Sequence, residues 1–320
     1  MLRKSNLHQS LRFTTLAVGF VTALISFTSC SDTKIEDTKS NKASQSIKAI
    51  EVAEATENTK ALEVTEVTTE NTLEEIKGRD KIVIGVKTDY TPFGFIDSDG
   101  KNAGLEIDIA HKITEEILDS EEKVEFVPVT TFNRIKFLKE GKVDLVIATM
   151  TDTEKRRQEI DFSENYYSSG VGLLTKKDNE IQTWEELKGK KVCSIEDAFY
   201  NKKLTEMKIE IVNFLRTSEA YKSLKEGRCI GFAYDESGVV AKLQEPEWSQ
   251  NWHQPLEPIL QTSWGMGVRK GDDQFLTTVN DAIFKMEAEG FIVEGENKWN
   301  IPPTEYVEKR MEQAKGKVNK

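Results

Sequence analysis

Histidine and cysteine are scarce, with three of each in 320 residues. His8, His111 and His253 are scattered, and no Cys/His set has the short ligand spacing of a zinc site. No Gly-x-Ser-x-Gly elbow and no phosphate-binding loop occurs. Asp97-Ser98-Asp99-Gly100 resembles the start of a calcium loop but lacks the later ligands and the closing glutamate, so a hairpin turn is the better reading. No Lys/Arg run with interleaved aromatics is present, which argues against nucleic acid as a partner. No apolar run reaches the roughly 20 residues that a bilayer-spanning helix needs. No metal, no cofactor and no catalytic constellation is expected.

Acidic side chains outnumber basic ones by 55 to 44, a net charge of −11. Such a surface repels anions at long range, so an anionic ligand needs a local cluster of cations in a cleft. The length suits one large or two medium domains. Arg3, Lys4 and Arg12 precede an apolar run from Leu16 to Phe27. At about 12 residues the run is too short to span a bilayer and reads as the core of a secretory signal over residues 1–29. It ends in Phe27-Thr28-Ser29-Cys30, which resembles the lipobox of bacterial lipoproteins, with Phe27 where that pattern favours leucine. Cys30 would then carry lipid; plain cleavage near Ser29, or a retained signal, is the alternative. Cys193 and Cys229 remain as an even set that an oxidising compartment lets pair.

Residues 30–72 have no aromatic residue, and Thr56-Glu57-Asn58-Thr59 recurs as Thr69-Glu70-Asn71-Thr72. A segment this polar buries too little to offset its ordering entropy and reads as a flexible tether. A marginal surface helix over Ile47–Glu66 is the alternative. From Leu73 the texture changes. Lys81–Val86 reads as a buried strand, and Leu105, Ile109, Ile113 and Ile117 have helical spacing. Val124–Val129 and Val143–Ile147 read as strands around a short helix, Asn133–Lys139, with Asn133 as its N-cap and Gly141 as its stop. Thr153 is placed to cap the next helix. The alternation restarts with strands at Lys191–Ile195, Glu210–Phe214 and Cys229–Ala233, and a long helix follows from Gln274 to Gly290. Alternating strands and helices predict an α/β fold with mainly parallel sheets. The expected organisation is lobe 1 over 73–174 and 264–301, lobe 2 over 175–263, and a charged tail over 302–320. The chain is expected to cross between lobes near Gly172–Thr175 and near Ser263–Val268.

Six stretches in order resemble the family 3 extracellular solute-binding proteins, the polar amino-acid receptors of ABC importers. They are Ile84-Gly85-Val86-Lys87 leading to Tyr90-Thr91-Pro92-Phe93, Gly104-Leu105-Glu106-Ile107-Asp108-Ile109, Gly141-Lys142-Val143-Asp144-Leu145, Ala148 to Arg156, Asp161-Phe162-Ser163 with Tyr166-Tyr167, and Leu187 to Val192. Thr114 departs from the family pattern, which favours a smaller or aliphatic residue there. The resemblance covers about Leu73 to Asn300. It implies a periplasmic-binding-protein-like architecture, two α/β lobes joined by a two-strand hinge.

The same resemblance implies a ligand set, and the chemistry fits it. Arg156 can hold a carboxylate bidentately. Thr149 and Thr151 add donors near a helix N-terminus. Asp235 would accept the ligand ammonium, and Tyr90 would cover the ligand. Lys87 and Arg134, with Thr131, resemble the glutamate/aspartate-binding branch, where two cations meet a side-chain carboxylate and reject basic ligands. Glutamine or another polar amino acid is the alternative ligand. Many family members carry a Gly-Thr-Thr-type loop where this chain has Glu196-Asp197-Ala198-Phe199-Tyr200, and acids there would oppose an acidic ligand. A Cys193–Cys229 pair resembles one in the general amino-acid branch; two buried thiols are the alternative.

The resulting expectation is an extracytoplasmic lipoprotein, not an enzyme. It would be anchored to the membrane through Cys30 and partnered by an ABC permease. A dehydratase-like enzyme on the same scaffold and a sensory receptor are the competing functions.

Overall fold

The computed structural model describes residues 71–318. The signal segment, Cys30 and the tether up to residue 70 lie outside the described residues. Folding begins slightly before Leu73. Asn71 caps a helix at Thr72–Arg79 by accepting from the Glu74 amide, and Leu73 and Ile76 are buried.

Ile82–Val86 is an inner strand of a five-stranded sheet whose central strand is Leu145–Ile147. It pairs in parallel with Val124–Pro128 on one side and Leu145–Ile147 on the other. Its residues are nearly all buried, as expected of a parallel strand covered on both faces. Gly267–Val268 and Asp161–Phe162 complete the sheet antiparallel. Helix Leu105–Leu118 buries Leu105, Ile109, Ile113 and Ile117, the residues whose spacing predicted it. Gly104 before it has φ 123°, and a Cβ there would lie 2.3 Å from the Phe93 carbonyl oxygen, so only glycine fits. Helix Arg134–Lys139 follows Asn133, whose side chain does not cap it but accepts from the Thr130 amide at 2.8 Å. Thr153 does cap helix Glu154–Arg157, accepting from the Arg156 amide at 3.3 Å. The turn at Asp97–Lys101 is a hairpin closed by Asp97, whose Oδ1 accepts from the amides of Asp99 and Lys101.

The second sheet runs Glu210–Phe214, Lys191–Ile195, Gly231–Asp235, Tyr167–Lys176 and Trp252–His253, with Ile259–Trp264 also on Tyr167–Lys176. Its first three strands are parallel. Cys193 and Cys229 are joined in a disulfide. The whole of Tyr167–Lys176 belongs to this sheet, paired with Gly231–Asp235 and Ile259–Trp264. The first crossing therefore lies at 163–166 and not at Gly172–Thr175. Sequence order alone does not say which sheet a strand pairs with. The return crossing lies between Trp264 and Gly267. The two crossings bond to each other: the Ser163 amide donates to the Met266 carbonyl and the Tyr166 amide to the Trp264 carbonyl, each at 3.0 Å.

The long helix Asp273–Glu289 returns to pack on Leu105–Leu118 and Thr72–Arg79. The expected charged tail is replaced by structure. Glu305–Val318 is a helix that packs on Asp273–Glu289, buries Val307 and Ala314, and places Arg310 Nε 2.7 Å from Glu287 Oε1. Two small apolar residues seven apart among many charges are a thin signal for a docked helix.

Candidate functional site

The chain gathers polar side chains where the strand ends of the two sheets face each other. Lys87 directly follows the strand Ile82–Val86 and is buried. Its ammonium donates to Thr131 Oγ1 at 3.1 Å. Arg134 opens its helix, is 2% exposed, and donates from Nη1 to the Ala148 carbonyl. Thr149 and Thr151 follow the strand Leu145–Ile147 and are buried. Arg156 lies in its short helix and donates from Nη1 to the Thr151 carbonyl at 2.9 Å. Its Nη2 reaches across to the Asp197 carbonyl at 3.3 Å.

The second lobe answers with one acid. Asp235 ends the strand Gly231–Asp235 and stands at the N-cap position of helix Glu236–Lys242, yet its side chain makes no capping bond. Its Oδ2 accepts from the Tyr90 hydroxyl at 3.3 Å instead. The Tyr90 ring packs on Tyr234 at 4.8 Å between centroids and lies against Gly238, where a Cβ would come within 2.5 Å of it. Seven of the eight residues anticipated from the sequence (Lys87, Thr131, Arg134, Thr149, Thr151, Arg156 and Asp235) line one cavity, and Tyr90 closes on it through Asp235. The cavity measures about 20 Å³, room for a single water. Nothing larger than a water fits in the cavity in this arrangement of the lobes.

Burial perturbs every charge here. It lowers Lys87 to about 8, helped by Arg134 and opposed by Asp89, Asp235 and Glu106. It lowers Arg134 to about 9, helped by Arg156 and opposed by Asp235, Glu106 and Asp197. Arg156 is lowered by burial too. Asp235 is pushed up to about 6 by burial, against the pull of Lys87, Arg134, Tyr90 and Arg156. Three desolvated cations against one lining acid favour an anion, because a bound carboxylate restores what burial removes.

Sequence reasoning overlooked part of the wall. Ile195, Ala198, Phe199, Tyr200 and Tyr234 also line the cavity. The loop 196–200 was read for its acids, but Asp197 is exposed, Glu196 half-buried, and neither lines the cavity. What the loop brings is aromatic surface and a carbonyl for Arg156. Among the described residues no cluster suited to a metal ion occurs.

Comparison with known proteins agrees with the fold. The family model of bacterial extracellular solute-binding proteins, family 3, matches residues 82–302. The ABC transporter glutamine-binding protein GlnH of Bacillus subtilis is 35% identical over 234 residues, covering 72% of this chain and 85% of that protein. The glutamate/aspartate import solute-binding protein of Escherichia coli is 28% identical over 249 residues, covering 73% of this chain and 82% of that one. Among solved structures, the solute receptor for L-cysteine of Neisseria gonorrhoeae superposes with a TM-score of 0.68 at 28% identity, covering 71% of this chain and 92% of that one.

Proposed function

The chain belongs to the bacterial extracellular solute-binding proteins, family 3, and from that premise we propose that it captures a free acidic amino acid outside the cytoplasm and presents it to an ABC permease. The observation that carries the ligand class is the buried pair Lys87 and Arg134, side by side on the first lobe with Thr131. In this reading Arg156, Thr149 and Thr151 take the α-carboxylate, Asp235 takes the ammonium, and Lys87, Arg134 and Thr131 take the side-chain carboxylate. Glutamine is the second reading, favoured by the name of the Bacillus subtilis relative. The proposal extends to the anchor, with residues 1–29 removed and Cys30 acylated.

A thermal-shift panel of glutamate, aspartate, glutamine, arginine, histidine and neutral amino acids tests the ligand. A ligand at a hundred times its dissociation constant adds about 2.7 kcal/mol of stability. Glutamate or aspartate is expected to shift the melting temperature most. A win for arginine or a neutral amino acid refutes the Lys87–Arg134 argument, and no shift at all refutes amino-acid capture. Intact mass of the membrane-extracted protein tests the anchor: a lipid adduct on Cys30 is expected, and an unmodified N-terminus near residue 30 refutes it.

A further inference from the structure

One carboxylate stands behind the cleft without lining it. Glu106 is the second residue of helix Leu105–Leu118 and is completely buried. Its Oε1 accepts from the Thr149 amide at 2.6 Å and from the Tyr166 hydroxyl. Thr149 has φ 46°, a left-handed conformation that is strained for a β-branched residue and needs outside support. The turn it makes is held on three sides. Arg134 takes the Ala148 carbonyl, Arg156 takes the Thr151 carbonyl, and Glu106 takes the Thr149 amide between them. Tyr166 stands directly before the strand Tyr167–Lys176, on the crossing between lobes.

We propose that Glu106 is a positioning residue of the binding cleft: it fixes the Thr149 turn so that the threonine offers its hydroxyl, not its amide, to the ligand, and through Tyr166 it ties that turn to the hinge. The inference rests on the amino-acid reading above. Burial pushes the Glu106 carboxyl up to about 7, against the pull of Tyr166, the Thr149 amide, Lys87 and Arg134. Charged or neutral, it presents an acceptor oxygen at the same place. A glutamine side chain does the same, whereas methionine presents none and aspartate falls one methylene short.

The test is titration calorimetry with glutamate and with glutamine on the wild-type protein and on E106Q, E106M, E106D, T149A and the doubles E106M/T149A and E106D/T149A. E106M and E106D are expected to weaken both ligands alike, roughly tenfold to a hundredfold, because a buried amide loses its acceptor. E106Q should stay within about threefold of wild type. In the T149A background the Glu106 substitutions should add little, since the hydroxyl they position is already gone. A purely structural role would lower melting temperature without this non-additivity and without rescue by glutamine. Undiminished binding by E106M or E106D, additive losses in the doubles, or failure of E106Q to bind overturns the inference. If E106M does not fold, E106D carries the same comparison. Wild-type protein that binds no amino acid overturns the reading of the cleft and this inference with it; wild-type binding with intact E106D binding overturns this inference alone.

Discussion

The two faces of the cleft are built on opposite plans. The first lobe presents Lys87, Thr131, Arg134, Thr149, Thr151 and Arg156; the second presents Ile195, Ala198, Phe199, Tyr200, Tyr234 and Asp235. Each first-lobe cation has a partner within its own lobe, Lys87 in Thr131, Arg134 in the Ala148 carbonyl and Arg156 in the Thr151 carbonyl, and Arg156 alone also reaches across to the Asp197 carbonyl. The second-lobe acid is held from across the cleft, by Tyr90. The difference teaches a division of labour. On the proposed reading, the first lobe is organised by its own bonds and selects the ligand at low ordering cost. On the same reading, the second lobe completes the site on closure, with apolar walls that strengthen the charges facing it.

The sharpest way to break this comparison is to remove a first-lobe cation. Arg156→Ala should weaken every amino acid by about 2–5 kcal/mol, because a ligand carboxylate is then buried without its partner. The expected readout is a loss of about 30-fold or more in calorimetric affinity. A loss confined to acidic ligands would instead place Arg156 at the side-chain end.

A change confined to the second lobe should behave differently. The Cys193–Cys229 bridge joins residues 36 apart. Replacing both by serine should cost about 3–4 kcal/mol of stability in the loop-entropy account. Chemical denaturation is expected to show that loss, with ligand affinity almost unchanged at temperatures where the variant stays folded. A matching collapse of affinity would mean that the second lobe is not merely completing a site selected elsewhere.

Acid and base should separate the lobes next. Asp235 must be ionised to accept the ammonium, and its value is raised to about 6, so binding of any amino acid should weaken as pH falls below 6. Lys87 must be protonated to hold a side-chain carboxylate, and its value is lowered to about 8, so glutamate binding should weaken as pH rises above 8. Glutamate affinity is therefore expected to plateau between the two, with limiting slopes of about tenfold per pH unit. Glutamine should show the acid limb only. The unliganded protein carries the opposite signature. A carboxyl whose value is raised by folding binds its proton more tightly in the folded chain, so the stability contributed by Asp235 and Glu106 is present at low pH and lost as pH rises through about 6 and 7. Glutamate and glutamine profiles of the same shape would remove Lys87 from the side-chain subsite.

Much of the first-lobe face was legible in the sequence, and little of the second. Lys87, Arg134, Thr149 and Arg156 came from the family resemblance, and in the structure they follow strand ends or lie in short helices. Glu106 sat inside a recognised stretch but carried no mark of its burial, since a glutamate on an amphipathic helix ordinarily faces water. Phe199 and Tyr200 were overshadowed by Glu196 and Asp197, because residue order cannot say which side chains of a loop turn inward. Pairing of Tyr167–Lys176 depends on partners nearly 60 and 90 residues away, Gly231–Asp235 and Ile259–Trp264, and no local pattern encodes that choice.

The smallest expected effect isolates the contact between the two plans. Tyr90→Phe removes the hydroxyl that donates to Asp235 and leaves the ring on Tyr234 and Gly238. A neutral donor to a charged carboxylate contributes about 1.5 kcal/mol at the weak end that a 3.3 Å bond suits, so affinity should fall roughly tenfold. Tyr90 and Asp235 belong to opposite lobes, so the loss should appear in the dissociation rate, with association nearly unchanged. It should be equal for glutamate and glutamine, since the ammonium that Asp235 receives is common to both. The Tyr90 bond also lowers the Asp235 value against burial. Its removal should therefore move the acid limb of the binding profile to higher pH. Stopped-flow dissociation across pH 5 to 8 measures both effects at once. An effect on association, or one that differs between the two ligands, would put Tyr90 among the selecting residues of the first lobe and dissolve the division drawn between the faces.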